Sequence, residues 1–178
     1  DLLYLCYDAG GLRIINIKDK VNPVEIGRYS NPIMNGKPRA YNNIVIEDSL
    51  AYIAVDYCGM EVLNIKDLSK IKTTGWWNPY GCPKNNWFSS PVHANEIVYD
   101  KKNRLLFLST GKSDLSVLGV SVPSQPVLCS EFGGVNNKRG TWGVSRYNNE
   151  IYLSYICSVI PFSSNKPGVK ILSYEMGK

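Results

Sequence analysis

The apolar and polar positions along the chain follow the pattern of short strands. Runs of five to eight residues, rich in Ile, Val, Leu and Tyr, are bounded by Gly, Asn, Asp and Pro, which is strand-and-turn chemistry. No stretch keeps a 3.6-residue apolar period between caps, so the sequence predicts almost no helix. The clearest region reads as four successive strands, here lettered a to d: AYNNIVIE (40–47), LAYIAVDY (50–57), MEVLNI (60–65) and KIKTTGWW (70–77). In LRIINI (12–17), Leu12 and Ile14 lie on one face and Ile15 and Ile17 on the other. That predicts a strand covered on both faces, between two layers.

The strand pattern repeats. GLRIINIKD (11–19) returns forty-eight residues later as GMEVLNIKD (59–67). Over residues 4–27 and 52–75 the positions Tyr4, Asp8, Gly11, Asn16, Ile17, Lys18, Asp19 and Gly27 all recur. A third copy, DLSVLGVSVPSQPVLCSEF (114–132), places Pro126-Val127 on Pro23-Val24 and Phe132 on Tyr29. A fourth is partial: IYLSY (151–155) matches LYLCY (3–7), and GVKILSY (168–174) matches GLRIINI. Four units follow, at about 1–36, 37–85, 90–136 and 138–178, with strands bcd, abcd, abcd and abc. Antiparallel four-stranded units of this length, each buried by its neighbours, predict an all-β propeller. A chain that starts at b and stops at c is expected to be a partial propeller or a segment of a larger one. Further blades, from the same or another chain, would then cover its open edges.

These residues carry a family resemblance. AYNNIVIEDSLAYIAVDYCGMEVLNIKD and GGLRIINIKDKVNPVEIG resemble LVIVD repeats, a propeller repeat of bacterial cell-surface and secreted proteins. The likeness is strong in units 1 and 2, and weaker in 3 and 4. Unit 2 departs from it at KDLSKIK, where Asn-Pro is absent. The resemblance implies a propeller and an extracellular or cell-surface location, and it brings no catalytic motif.

Composition narrows the chemistry. The 178 residues are 44% hydrophobic and 11% aromatic, with twelve Tyr, a globular balance. No apolar run reaches the ~18 residues of a membrane helix. The net charge of +5 is scattered, which argues against nucleic acid as a partner. A single histidine, His93, excludes two-His metal motifs. Neither a G-x-S-x-G elbow nor a G-x-G-x-x-G loop occurs. No cofactor and no metal is expected. None of the five cysteines forms C-x-x-C; Cys6 and Cys129, inside strand patterns, read as buried free thiols.

Topology singles out one edge. In an up-and-down blade the b–c and d–a loops lie together, where propellers usually take ligands. Asp8 and Asp56 end the b strands. Cys58, Cys82 and Cys157 map to this edge and are candidates for a disulfide. Arg39, His93 and Arg139 fall at the starts of a strands. Trp77 reads as core, whereas Trp76 alternates outward and Trp87 lies in a polar loop. The aromatic-rich loops 78–91 and 156–167 interrupt the repeat, and loops of that length usually serve function. The candidates for partner binding are therefore Trp76, Trp87, His93, Arg39, Arg139, Asp8 and Asp56. Two functions follow. One is a non-enzymatic binding or scaffold module for a protein partner, or a glycan. The alternative is a hydrolase or lyase acting on polysaccharide or peptide, with Asp8, Asp56, His93, Arg39 and Arg139 gathered at the channel mouth.

Overall fold

A computed structural model describes residues 1–82, 93–110, 114–134, 140–156 and 167–175. These build four antiparallel sheets in chain order. Sheet 1 holds β1 (Leu2–Cys6), β2 (Leu12–Asn16) and β3 (Val24–Tyr29). Sheet 2 holds β4 (Ala40–Glu47), β5 (Leu50–Asp56), β6 (Gly59–Asn64) and β7 (Lys72–Trp77). Sheet 3 holds β8 (Ile97–Asp100), β9 (Leu105–Ser109), β10 (Leu115–Gly119) and β11 (Val127–Phe132). Sheet 4 holds β12 (Gly140–Tyr147), β13 (Glu150–Ile156) and β14 (Gly168–Ser173). Every sheet is a simple meander. Among the described residues there is no α-helix, only a 3-10 turn at Pro32–Met34 capped by Asn31.

The core lies between sheets, in three layers. Leu12 and Ile14 of sheet 1 meet Ala51, Ile53, Val55 and Leu63 of sheet 2. The opposite face of sheet 2, with Tyr52, Ala54, Met60 and Val62, meets Ile97, Leu106, Leu108 and Leu118 of sheet 3. Phe107 and Leu115 of sheet 3 then meet Val144, Ile151 and Leu153 of sheet 4. Strand β5 thus buries alternate residues on alternate faces, which is why its period-2 pattern reads as a continuous apolar run. Each fully buried Leu or Ile contributes roughly 1.5–3 kcal/mol.

Sheet 1 corrects one expectation. Its strand β2 is fully buried on one face only: Leu12 and Ile14 are fully buried, while Ile15 is partly buried. It stands at the end of the row, and among the described residues no sheet lies against its other face. Leu3 and Leu5 there are 44% and 38% exposed, and Val169 and Ile171 on the far face of sheet 4 are 66% and 56% exposed. Cys129 corrects a second. It is exposed and free, because β11 is the outermost strand of sheet 3. Cys6 is half-buried and free, and burial pushes its thiol up to about 12.

The recurring glycine has a steric cause. Gly11 and Gly59 both adopt positive φ, +81° and +76°. A Cβ at Gly11 would collide with the carbonyl oxygen of Tyr29, and one at Gly59 with that of Trp77. In units 1 and 2 the third strand therefore begins at a position only glycine fills without strain, whereas unit 3 places Asp114 there at φ +64°. Replacing Gly59 by Ala should lower stability by about 2 kcal/mol or more. Urea unfolding checks this, and a loss within error of zero would disprove the steric account. The recurring aspartate closes a turn: Asp19 Oδ1 accepts from the N–H groups of Val21 and Asn22 at 2.9 and 3.3 Å. Asp67 accepts from Ser69 N–H at 3.0 Å, so unit 2 keeps this turn although it lacks Asn-Pro.

The first strands of sheets 2, 3 and 4 lie side by side: β4 touches β8, and β8 touches β12. They form the inner wall of the curved row. At the a–b end, Lys101 pairs with Glu47 at 2.6 Å. There too Asp100 accepts from Tyr174 at 2.6 Å and pairs with Arg146 at 3.2 Å. The d–a end carries the candidate residues.

Candidate functional site

Asp56 ends β5, and Tyr57 follows it at φ +68°. That left-handed turn brings Tyr57 N–H to 2.9 Å from Asp56 Oδ1. It also aims the carboxylate at the chain arriving for sheet 3, where His93 Nδ1 lies 3.1 Å from Asp56 Oδ1. The Tyr57 ring packs edge-on against the imidazole at 5.2 Å. Burial pushes the Asp56 carboxyl above the usual aspartate range, and the hydrogen bond and charge of His93 pull it back only in part. The charge of Asp8 adds to the rise. Asp56 and His93 therefore do converge. However, His93 is 1% and Asp56 7% exposed, so the pair is sealed beneath the loop face and ties sheet 2 to sheet 3.

The other candidates divide. Asp8 contributes its backbone, its carbonyl accepting from Tyr41 N–H at 3.0 Å. Arg39 staples two turns: Nε donates to Ala9 O at 3.2 Å and Nη1 to Met34 O at 2.7 Å. Trp76 does not point outward. It packs into the core between sheets 1 and 2, and its indole N–H donates to Cys58 O at 2.7 Å; Trp77 packs into the next layer. Cys58 and Cys82 are joined by a disulfide with Cα atoms 4.5 Å apart, inside the window such bonds require. It links the β5–β6 turn to the segment after β7. Trp87, Arg139 and Cys157, with residues 83–91 and 157–166 of the two long loops, lie outside the described residues.

Two features escaped the sequence reading. The first is Glu61, fully buried on β6. Its Oε1 accepts from Thr73 at 2.6 Å, Asn31 at 2.8 Å and Tyr29 at 3.3 Å, and its Oε2 from Tyr41 at 2.9 Å. Tyr29 and Thr73 also hydrogen-bond each other. Burial raises the Glu61 carboxyl above its usual range, against the pull of these four donors. The signal was present: a lone charge in GMEVLN, a strand read as buried on both faces.

The second is a cleft of about 280 Å³ at the inner wall, lined by Asn42, Asn43, Asn95, Glu96 and Trp142. The paired residues Ile44–Ile53, Ile97–Leu108 and Val144–Leu153 are equivalent steps of three sheets. Asn43, Glu96 and Gly143, each one residue earlier, share one repeat position, and Asn42, Asn95 and Trp142, two residues earlier, share another: Asn42 donates to Ala94 O as Asn95 donates to Thr141 O. In β4 and β12 the register shifts there, so a bulge turns Asn42 and Trp142 off the ladder and toward the axis. Aligning the units on their a strands would have put Asn42, Asn95 and Trp142 in one column and Asn43, Glu96 and Gly143 in the next.

No family model and no curated protein matches this chain. Solved structures do. One is the Myceliophteria thermophila Cps50 (Swd1) β-propeller domain, with TM-score 0.63 and 9% identity over 97% of this chain and 54% of that one. Another is the computationally designed Ika8 protein, with TM-score 0.57 and 6% identity over 86% of this chain and 40% of that one. At such identities the likeness concerns the fold alone. The chain is a partial β-propeller, with four antiparallel sheets among the described residues, and it spans about half the length of the two solved chains it resembles.

Proposed function

We propose that this chain is a non-enzymatic binding or scaffold module, extracellular or cell-surface as LVIVD-type propellers are, that engages a protein partner through the face bearing the b–c and d–a loops. The observation that carries this is the channel-mouth cleft. Residues of two repeat-equivalent columns line it, Asn42, Asn95 and Trp142 from one, and Asn43 and Glu96 from the next, where sheet 4 has Gly143; both columns change in chemistry across the sheets where the architectural positions recur. Trp142 is 48% exposed there, and aromatic residues dominate the energetics of such contacts. The hydrolase or lyase reading is less well supported, because its two central residues, Asp56 and His93, are buried and already paired. The uncovered apolar faces of sheets 1 and 4 support a second contact, with further blades of the same or another chain.

Capture on the immobilised chain, from extracts of its own source, tests the binding face. Trp87→Ala and Trp142→Ala should each lose the partner that the wild type retains. Lys18→Ala, on the exposed opposite edge, should keep it. Equal recovery by all three would overturn the assignment of the face.

A further inference from the structure

The polar atoms around the channel-mouth cleft divide unevenly between donors and acceptors. Asn95 donates through Nδ2 to Thr141 O at 3.1 Å. That turns its Oδ1 the other way, where it is buried without a hydrogen-bond partner in a residue only 6% exposed. Asn42 likewise donates through Nδ2 to Ala94 O at 2.9 Å, which leaves its Oδ1 to accept. Glu96 Oε2 accepts from Val144 N–H at 2.9 Å, leaving Oε1. A Cβ at Gly143 would stand 2.9 Å from Glu96 Oε2, so the glycine makes room for the carboxylate in this position. Only Asn43 is arranged the other way: its Oδ1 accepts from Ile97 N–H at 3.3 Å, leaving an amide to donate.

Three acceptors, one of them carrying the site's charge, thus face one donor group across a cleft walled by the half-exposed indole of Trp142. An anion would be repelled by Glu96. A neutral polyol would need donors and acceptors in more equal number. A planar cation with several N–H groups suits the set: a guanidinium donates in a fork to a carboxylate and to amide oxygens and stacks on an aromatic face. The geometry points to an arginine-binding site, in which an arginine side chain of the protein partner enters the channel mouth between Glu96 and Trp142. This rests on the reading of the loop face as the binding face, and it names the anchor that face takes. The cleft volume of about 280 Å³ suits one side chain rather than a drug-sized ligand.

The test uses three capped tripeptides: acetyl-Gly-Arg-Gly-amide and its citrulline and lysine counterparts, titrated by calorimetry and by NMR. The arginine peptide should bind and shift the Trp142 indole and the side-chain amides of Asn42, Asn43 and Asn95. Citrulline, with the same shape and no charge, should bind at least about tenfold more weakly, and lysine several-fold more weakly. Glu96→Gln, which keeps an acceptor for Val144, and Trp142→Ala should each weaken the arginine peptide about tenfold. Equal affinity for citrulline, tighter lysine binding, an unchanged Glu96→Gln variant, or no binding at about 10 mM would each overturn the site. Shifts mapped on wild-type protein to another region would do the same, with no dependence on how the variants fold. If the peptides fail while Trp87→Ala and Trp142→Ala still lose the partner, the binding face stands and the arginine anchor falls.

Discussion

Glu61→Leu is expected to lower the stability of the chain by about 3 kcal/mol or more at neutral pH. The leucine fills similar space, but it leaves the Tyr41 hydroxyl and the Asn31 amide buried with no acceptor. Each orphaned donor costs about 1–3 kcal/mol. Tyr29 and Thr73 lose less, because they can satisfy each other. The same residue sets a pH dependence. Its carboxyl is raised above its ordinary 4.5, so the folded state favours the protonated form. Stability from this group is complete below about 4.5 and declines as pH rises through the folded value. Asp56, also raised by burial, acts in the same direction. Glu61→Gln removes the titration and keeps one acceptor oxygen. Urea unfolding between pH 4.5 and 8 should therefore show a shallower fall in the glutamine variant than in the wild type. Parallel curves would refute this role for Glu61, and a leucine variant as stable as wild type would refute the network.

What sequence could and could not convey about this fold follows from what repeats. Strands b and c were most legible because in sheets 2 and 3 they are buried against neighbouring sheets, and that demand writes a recurring apolar spacing into the units. Gly11 and Gly59 were legible as a recurrence, and their collisions with Tyr29 and Trp77 explain why no other residue fits. Positions that recur in space while changing in chemistry were not legible. Arg13, Glu61, Ser116 and Lys170 share one place in their sheets, yet they do different things. Arg13 pairs with Glu25 at 3.3 Å on the open face, and Glu61 collects four donors. Ser116 donates to Glu131 at 3.3 Å, and Lys170 sits 4.7 Å over the Phe132 ring. Each partner comes from a different strand, often in the preceding sheet, at a separation the linear pattern does not record. Trp76 was misread for a similar reason. Strict alternation sends it outward, but the indole folds back to the Cys58 carbonyl, a contact created by the turn after β5. Trp142 was missed because a bulge breaks the alternation that would have placed it.

Reduction of the Cys58–Cys82 disulfide should cost about 3 kcal/mol. It closes a segment of 24 residues, and the chain-entropy relation for a loop of that size gives about 3 kcal/mol. For a chain of this length that is a fall of roughly 6–12 °C in melting midpoint. The effect should also reach the binding face. The bond fixes the turn that follows Asp56, and Asn78 holds its far end, donating to Cys82 Sγ at 3.1 Å and accepting from Cys82 N–H at 3.3 Å. Eleven positions after Cys82 the chain returns as His93 to meet Asp56, and Asn95 and Glu96 of the cleft follow directly. Freeing Cys82 lets both ends of this connection move, so the Asp56–His93 contact should loosen before the sheets separate. The Cys58→Ser/Cys82→Ser variant is therefore expected to melt earlier, to shift the His93 imidazole resonances, and to lose affinity for whatever the cleft binds. Wild-type protein in dithiothreitol should behave the same way. A melting midpoint indifferent to reductant would show that the covalent link is not what holds this corner. An earlier melt with unaltered His93 resonances would show that it holds the sheets without setting the site.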